Sequence, residues 1–191
     1  MALNLKIDFD KKYETDSISE DLRESSFTSL LSDNKAIVLQ VSISNQAHEL
    51  LPNVYNLAFG SLRANGRIDD QAELTHRDYS KTFSTILFNG LTYLTPNPEH
   101  YLRVDGSDNA RAYLYYRTLQ HNYEYLTKFF HFFGVKYYVR ISRFGKTQYA
   151  NPFDFEDIVF DPVRMEKNMI LPRQMMFNYF IFSLKNSIFK V

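Results

Sequence analysis

The chain has 191 residues, enough for one domain and tight for two. Lys+Arg and Asp+Glu each number 22, so the formal net charge is zero and the basic surplus that non-specific nucleic-acid binding needs is absent. There is no Cys, which excludes disulfides, thiolate metal sites and cysteine nucleophiles.

The apolar residues are of an unusual kind: 17 Phe and 14 Tyr, with no Trp. Tyr is favoured where a surface is half dry, and zero net charge offers little colloidal repulsion. Together they lead us to expect a protein partner or a homo-oligomer. The opening Met1-Ala2-Leu3-Asn4-Leu5-Lys6-Ile7-Asp8 lacks the basic-then-apolar pattern of a secretory leader. No stretch reaches the ~18 apolar residues of a membrane span. Met175–Leu184 comes nearest and is interrupted by Asn178 and Ser183. A soluble, cytoplasmic protein is expected.

Residues 1–26 read as a short strand followed by a polar, Ser-rich arm, KKYETDSISEDLRESS. From Phe27 the period is 2. Phe27, Ser29 and Leu31 form one run, and Ile37, Leu39, Val41 and Ile43 a second, with turn residues Ser32-Asp33-Asn34 between them. That is an antiparallel hairpin. Val54–Gly60 adds a third strand, with Tyr55, Leu57 and Phe59 on one face.

The period then changes to that of a helix. Tyr79, Phe83, Ile86, Gly90 and Leu94 lie on one face of a helix predicted over 76–95, and Thr75 and Asp78 have the spacing of a capping box. Tyr101–Asp105 is a short strand. A second helix, over 109–121, is capped by Ser107 or Asp108. Tyr123–Phe133 reads as a further helix ended by Gly134, its many aromatics leaving a strand as the alternative. Val135–Ser142 alternates as a strand, and Pro152 and Pro162 mark loops around a last strand near Ile158-Val159-Phe160. The segment from Met165 reads as a docking strand or an amphipathic segment. The expected architecture is α+β: a mainly antiparallel sheet with two or three helices on one face. The expected division is an arm (1–26), a single domain (27–163) and a C-terminal extension (164–191).

Two clusters carry candidate chemistry. In Gly106-Ser107-Asp108-Asn109-Ala110-Arg111 a strand ends and a helix opens, presenting unpaired N–H groups and partial positive charge to an anion. Arg111 adds a cation in the first turn, unfavourable there unless a phosphate, a carboxylate ligand or an internal Asp lies near. The second cluster is Asp69, Asp70, His76 and Asp78, with Lys81 one turn on: carboxylates and an imidazole suited to acid–base work or a magnesium-type ion. The bland readings are that Ser107, Asp108 and Asp78 are caps and that Asp69-Asp70 lie in a loop. The other histidines lack ligand spacing, so no metal and no cofactor is expected. Lys136-Tyr137-Tyr138-Val139-Arg140, with Arg143 beyond, has the look of a base-stacking strand, and equally of a half-exposed sheet face.

The blocks Val54–Gly60, Ile68–Asp70, Asp78–Ile86, Gly106–Arg111 and Leu114-Tyr115-Tyr116-Arg117 resemble an uncharacterised family of small bacterial proteins, of Bacteroidota type, over roughly 27–134. Ser61 and Ala112 depart from the Asp and Thr usual there. The resemblance implies a bacterial intracellular domain, with Tyr115 and Arg117 recurring beside Arg111, and no established activity. Two functional readings follow. One is a non-catalytic interaction protein, such as the neutralising or accessory half of a toxin–antitoxin or phage-defence module. The other is a nucleotide- or phosphate-binding domain, with or without catalysis, centred on Gly106–Arg111.

Overall fold

The computed structural model describes residues 5–69, 72, 74–105, 109–139, 158–171, 177 and 179–185. In chain order they form β1 (Ser17–Ile18), β2 (Glu24–Leu30), β3 (Ala36–His48), β4 (Leu51–Leu62), β5 (Ile68–Asp69), α1 (Tyr79–Leu94), β6 (Tyr101–Asp105), α2 (Asn109–His121), α3 (Tyr123–Leu126), β7 (Phe130–Val139), β8 (Ile158–Arg164) and β9 (Tyr179–Leu184). The strands make one sheet in the order β1-β2-β3-β4-β6-β9-β7-β8, with β5 paired to β4. Every pairing is antiparallel except β4 with β6. A parallel pair needs a crossover, and α1 supplies it. The fold is the expected α+β, with a mainly antiparallel sheet.

Period 2 in the sequence becomes two faces in the sheet. Leu39, Val41 and Ile43 of β3, Leu57 of β4, Leu102 and Val104 of β6, Phe130 and Phe132 of β7 and Phe180 and Phe182 of β9 share one core. Against them α1 sets Ile86, Leu87, Tyr93 and Leu94, while α2 sets Ala112, Tyr116 and Leu119. Gly90 lets α1 come close, since a Cβ there would stand 3.1 Å from the Leu102 side chain. A second buried cluster, Val54, Phe133, Val135 and Ile181 with Leu51, draws on the alternate residues of the central strands.

Several sequence expectations change. The aromatic run over 123–133 is not one helix: α3 is a single turn, and Phe130 begins β7. β7 lies between β8 and β9 and is buried on both faces over Phe132–Val135, so its first half, dense in Phe, loses the strand period, while the part from Val135 to Val139 is the strand expected there. Gly134 ends no helix. It sits mid-strand, where the Phe177 ring occupies the space of a Cβ. Pro162 lies inside β8 rather than in a loop, and β8 is the last strand in the order, where a missing N–H costs least. The segment from Met165 supplies β9, inserted between β6 and β7. The expected caps Ser107 and Asp108 lie outside the described residues, as do Arg140 and Arg143.

The N-terminal segment has a strand's alternation without a strand partner. Leu5, Ile7 and Phe9 are buried, and the backbone between them is held by side chains. Ile7 N–H donates to Asn122 Oδ1 (2.8 Å), Asp8 N–H to Ser84 Oγ (2.9 Å) and Phe9 N–H to the Tyr125 hydroxyl (2.8 Å). Asn122 Nδ2 in return donates to the Leu5 carbonyl.

The cap of α1 is Asp78, whose carboxylate accepts the Lys81 N–H at 2.9 Å. The helix therefore starts later than the capping-box spacing suggests. Thr75 instead offers its backbone carbonyl to Ser32, at the start of the β2–β3 turn. Asp78→Ala should cost about 1 kcal/mol in chemical denaturation. Thr75→Ala should cost much less, and equal losses would contradict this assignment.

Candidate functional site

Parallel β4 and β6 run their carboxyl ends to the same side of the sheet, and α1 and α2 open their first turns there. A crevice at such a point is where open sheets of this kind take ligands. The structure has a cavity of about 280 Å³ at this place, lined by Asn56, Phe59 and Gly60 from β4, Asp69 from β5 and His76 from the loop before α1. Tyr79 and Phe83 of α1, Asp105 at the end of β6, and Arg111 and Tyr115 of α2 complete the wall.

The cavity merges the two sequence clusters. Asp69, His76, Arg111 and Tyr115 meet in it, although the sequence places them in separate blocks. The remaining candidates go elsewhere. Lys81 sets its ammonium 4.4 Å from the Tyr13 ring centroid, Asp78 is the α1 cap, and Arg117 lies over Tyr113 at 5.7 Å. Asp70, Gly106, Ser107 and Asp108 lie outside the described residues. Sequence reading missed Asp105, Asn56 and Tyr79. Asp105 carried a signal, being the last residue of a strand that runs into a helix start.

Each polar group is positioned by local structure. Asp69 pairs with Arg63 at 2.7 Å, and its carbonyl lies against Gly60, where a Cβ would be only 2.4 Å away. Gly60 thus permits the end of β5 to lie against the β4 backbone beside the cavity. His76 is fixed by its backbone bridge to Leu31, by an Nδ1···Ser29 Oγ contact of 2.9 Å and by the edge-on ring of Tyr79 at 5.4 Å. Tyr79 is itself held by donating its hydroxyl to the Leu74 carbonyl at 2.9 Å. Burial lowers the His76 pKa, which keeps the imidazole neutral at neutral pH. Among the described residues no cluster of three or more His, Asp or Glu is arranged to hold a metal ion.

A larger, open groove of about 790 Å³ runs beside residues 5–8, α2, α3 and Lys167–Asn168. Its polar side chains tie the chain to itself. Asn122 clamps the N-terminal segment, Gln120 joins the Glu166 carbonyl to the Asn168 N–H, and Lys167 pairs with Glu124. Those groups are committed to the fold, and the groove offers less for recognition than the smaller cavity.

Two predictions follow from this geometry. Gly60→Ala puts a methyl against backbone and should destabilise by about 1–3 kcal/mol. Gly90→Ala meets only the end of a Leu102 side chain and should cost less. Denaturant midpoints compare the two, and a harmless Gly60→Ala would contradict the close approach. Burial also lowers the pKa of His100, and burial together with Arg103 lowers that of His48. Like His76, these groups take up a proton more readily unfolded. Their stabilising contribution is full above the ordinary His value of about 6.5 and is lost as pH falls below it towards the folded values. The melting midpoint should therefore fall over that window, less steeply in His76→Gln, and a midpoint that rises would be inconsistent with buried neutral imidazoles.

Among the described residues no helix is long and apolar enough to cross a membrane. No curated protein and no solved structure matches the chain. One family model does, over residues 10–156, and its description is a family of unknown function, DUF6934. The match covers β1 to β7, α1 to α3 and every described residue of the cavity except Leu5. The resemblance to an uncharacterised family is borne out at that level, and the chain belongs to the DUF6934 family of unknown function.

Proposed function

We propose that this chain binds a small organic phosphate of the nucleoside-monophosphate class in the cavity between β4, β6, α1 and α2. The observation that supports it is the convergence of Arg111, His76, Asp69 and Asp105 with an apolar wall of Leu57, Phe59, Phe83 and Val104. A few convergent polar groups on an apolar, concave surface is the usual composition of a small-molecule site. Arg111 is permanently charged and forks towards phosphate oxygens, and it lies in the first turn of α2, where the helix start adds partial positive charge. Asp69, paired with Arg63, and Asp105 add carboxylates to the same wall. Tyr115, Tyr79 and Phe83 present ring surface to a planar body.

The alternative is the protein-interaction domain, with its toxin–antitoxin or phage-defence setting in a bacterial cytoplasm. It rests on charge balance and aromatic content. The cavity is an observation of a different kind and favours the ligand reading.

The test is calorimetric titration with AMP, GMP, CMP and UMP, beside inorganic phosphate. Arg111→Ala should weaken the best of these by about ten- to a hundredfold, the range of a charge-assisted hydrogen bond, without lowering the melt. Arg111→Lys keeps the charge and loses the fork, so it should restore only part of the affinity. A melt lowered by several degrees with binding intact would make Arg111 a structural partner of Asp69 or Asp105 and remove the reading.

A further inference from the structure

His76 ends a chain of hydroxyl groups whose direction can be worked out from its other end. The Thr82 hydroxyl faces the Asp78 carbonyl at 3.0 Å. A carbonyl only accepts, so the single Thr82 hydroxyl proton is used there. Ser29 Oγ lies 3.3 Å from Thr82 Oγ1, so the proton in that contact comes from Ser29. Ser29 has no second proton, and its 2.9 Å contact with His76 Nδ1 is made by Nδ1–H donating to Ser29 Oγ. The count is closed, because Ser29 is 0% and Thr82 2% exposed, and no solvent reaches them to supply another partner.

We infer that His76 is held as the Nδ1–H tautomer and that its Nε2 lone pair is the acceptor the cavity offers, so that the bound ligand carries an O–H or ring N–H donor as well as its phosphate. This rests on the ligand reading above for the ligand, and on the hydroxyl chain alone for the tautomer. Among the described residues, the other charged and titratable groups lining the cavity are Asp69 of β5, Asp105 of β6, Arg111 and Tyr115 of α2 and Tyr79 of α1. Arg111 is the donor for the anionic end. Burial keeps the imidazole neutral and the lone pair available. His76 is thereby a specificity-determining residue whose tautomer is set by Ser29 and Thr82.

Two measurements test it. Long-range ¹H–¹⁵N correlation on uniformly labelled protein at neutral pH, with the His76 signals identified by their loss in His76→Gln, should show Nδ1 protonated and Nε2 unprotonated. The reverse pattern overturns the assignment in the wild-type protein, whatever the variants do. Thr82→Val removes the chain's anchor and lets Ser29 donate to Nδ1, so the pattern should invert. Thr82→Ser keeps the anchor and should preserve it. An unchanged tautomer in a folded Thr82→Val would mean that the chain is not what sets it.

The binding arm compares UMP with N3-methyl-UMP and AMP with 2′-deoxy-AMP. Wild type should prefer the donor-bearing member of at least one pair by about tenfold, the worth of one hydrogen bond. The preference should vanish in His76→Phe. A preference that persists in His76→Phe overturns the role given to Nε2. If no nucleotide binds while Nδ1–H is observed, the nucleotide reading and the ligand half of this inference fail together, and the tautomer stands.

Discussion

The turn at Asp78 is the constraint from which the site takes its shape. Its carboxylate caps α1 through the Lys81 N–H, and its carbonyl accepts both the Thr82 N–H and the Thr82 hydroxyl. One residue therefore sets where the helix begins and which way the buried hydroxyl chain points. The residues just before it are pinned to the end of β2. Ser32 N–H donates to the Thr75 carbonyl, and Arg77 N–H to the Leu30 carbonyl. His76 lies between those two ties, which hold its backbone beside the cavity, and the Ser29 contact holds its ring. A helix start, a strand end and a cavity-lining imidazole are thus one local structure.

The legible parts of the fold are those in which one face is buried and the other wet. β2 and β3 alternate because their outer residues, such as Thr28 and Val38, are exposed while Phe27 and Leu39 are not. α1 is legible for the same reason, its buried face recurring at Ile86, Gly90 and Leu94. β7 and β9 lack that contrast. They lie side by side in the sheet, with Phe130, Phe132, Phe180 and Phe182 on one face and Phe133, Val135 and Ile181 on the other. A strand buried on both faces has no period to read, and a dense aromatic run in one fits a helix equally well. The N-terminal segment shows the opposite case. Leu5, Ile7 and Phe9 alternate as a strand would, yet their backbone donors go to Asn122, Ser84 and Tyr125. Alternation reports burial on one side and says nothing of who satisfies the backbone.

The site was legible in its chemistry and not in its geometry. Arg111, Asp69 and His76 are residue types that carry recognition in any protein, and their local contexts marked them. Nothing in the sequence says that the β4–β5 hairpin brings Asp69 round to face α2. That follows from Gly60, which allows backbone to lie on backbone where any side chain would intrude. Lys81 and Arg117 had the same residue-level merits and were drawn off by Tyr13 and Tyr113. An aromatic-rich chain offers many ring faces to its cations, and a cation on a ring is a settled structural contact.

The connection that makes the cavity also explains why it lies where it does. Among the described residues, β4, α1, β6 and α2 form the stretch in which neighbouring strands are parallel, within a sheet that is otherwise antiparallel. Antiparallel neighbours joined by hairpins, such as β2–β3 and β3–β4, close their ends with short turns and leave little room. A parallel pair must send the chain over the sheet between strands, so both strand ends open towards the helices that follow. In this chain the long route from β4 to α1 is filled by β5 and the His76 loop, which wall the space without occupying it. Arg111 from α2, Asp69 from β5, Asp105 from β6 and His76 from the loop before α1 line that space together because the parallel crossover brings those strand and helix ends to one place.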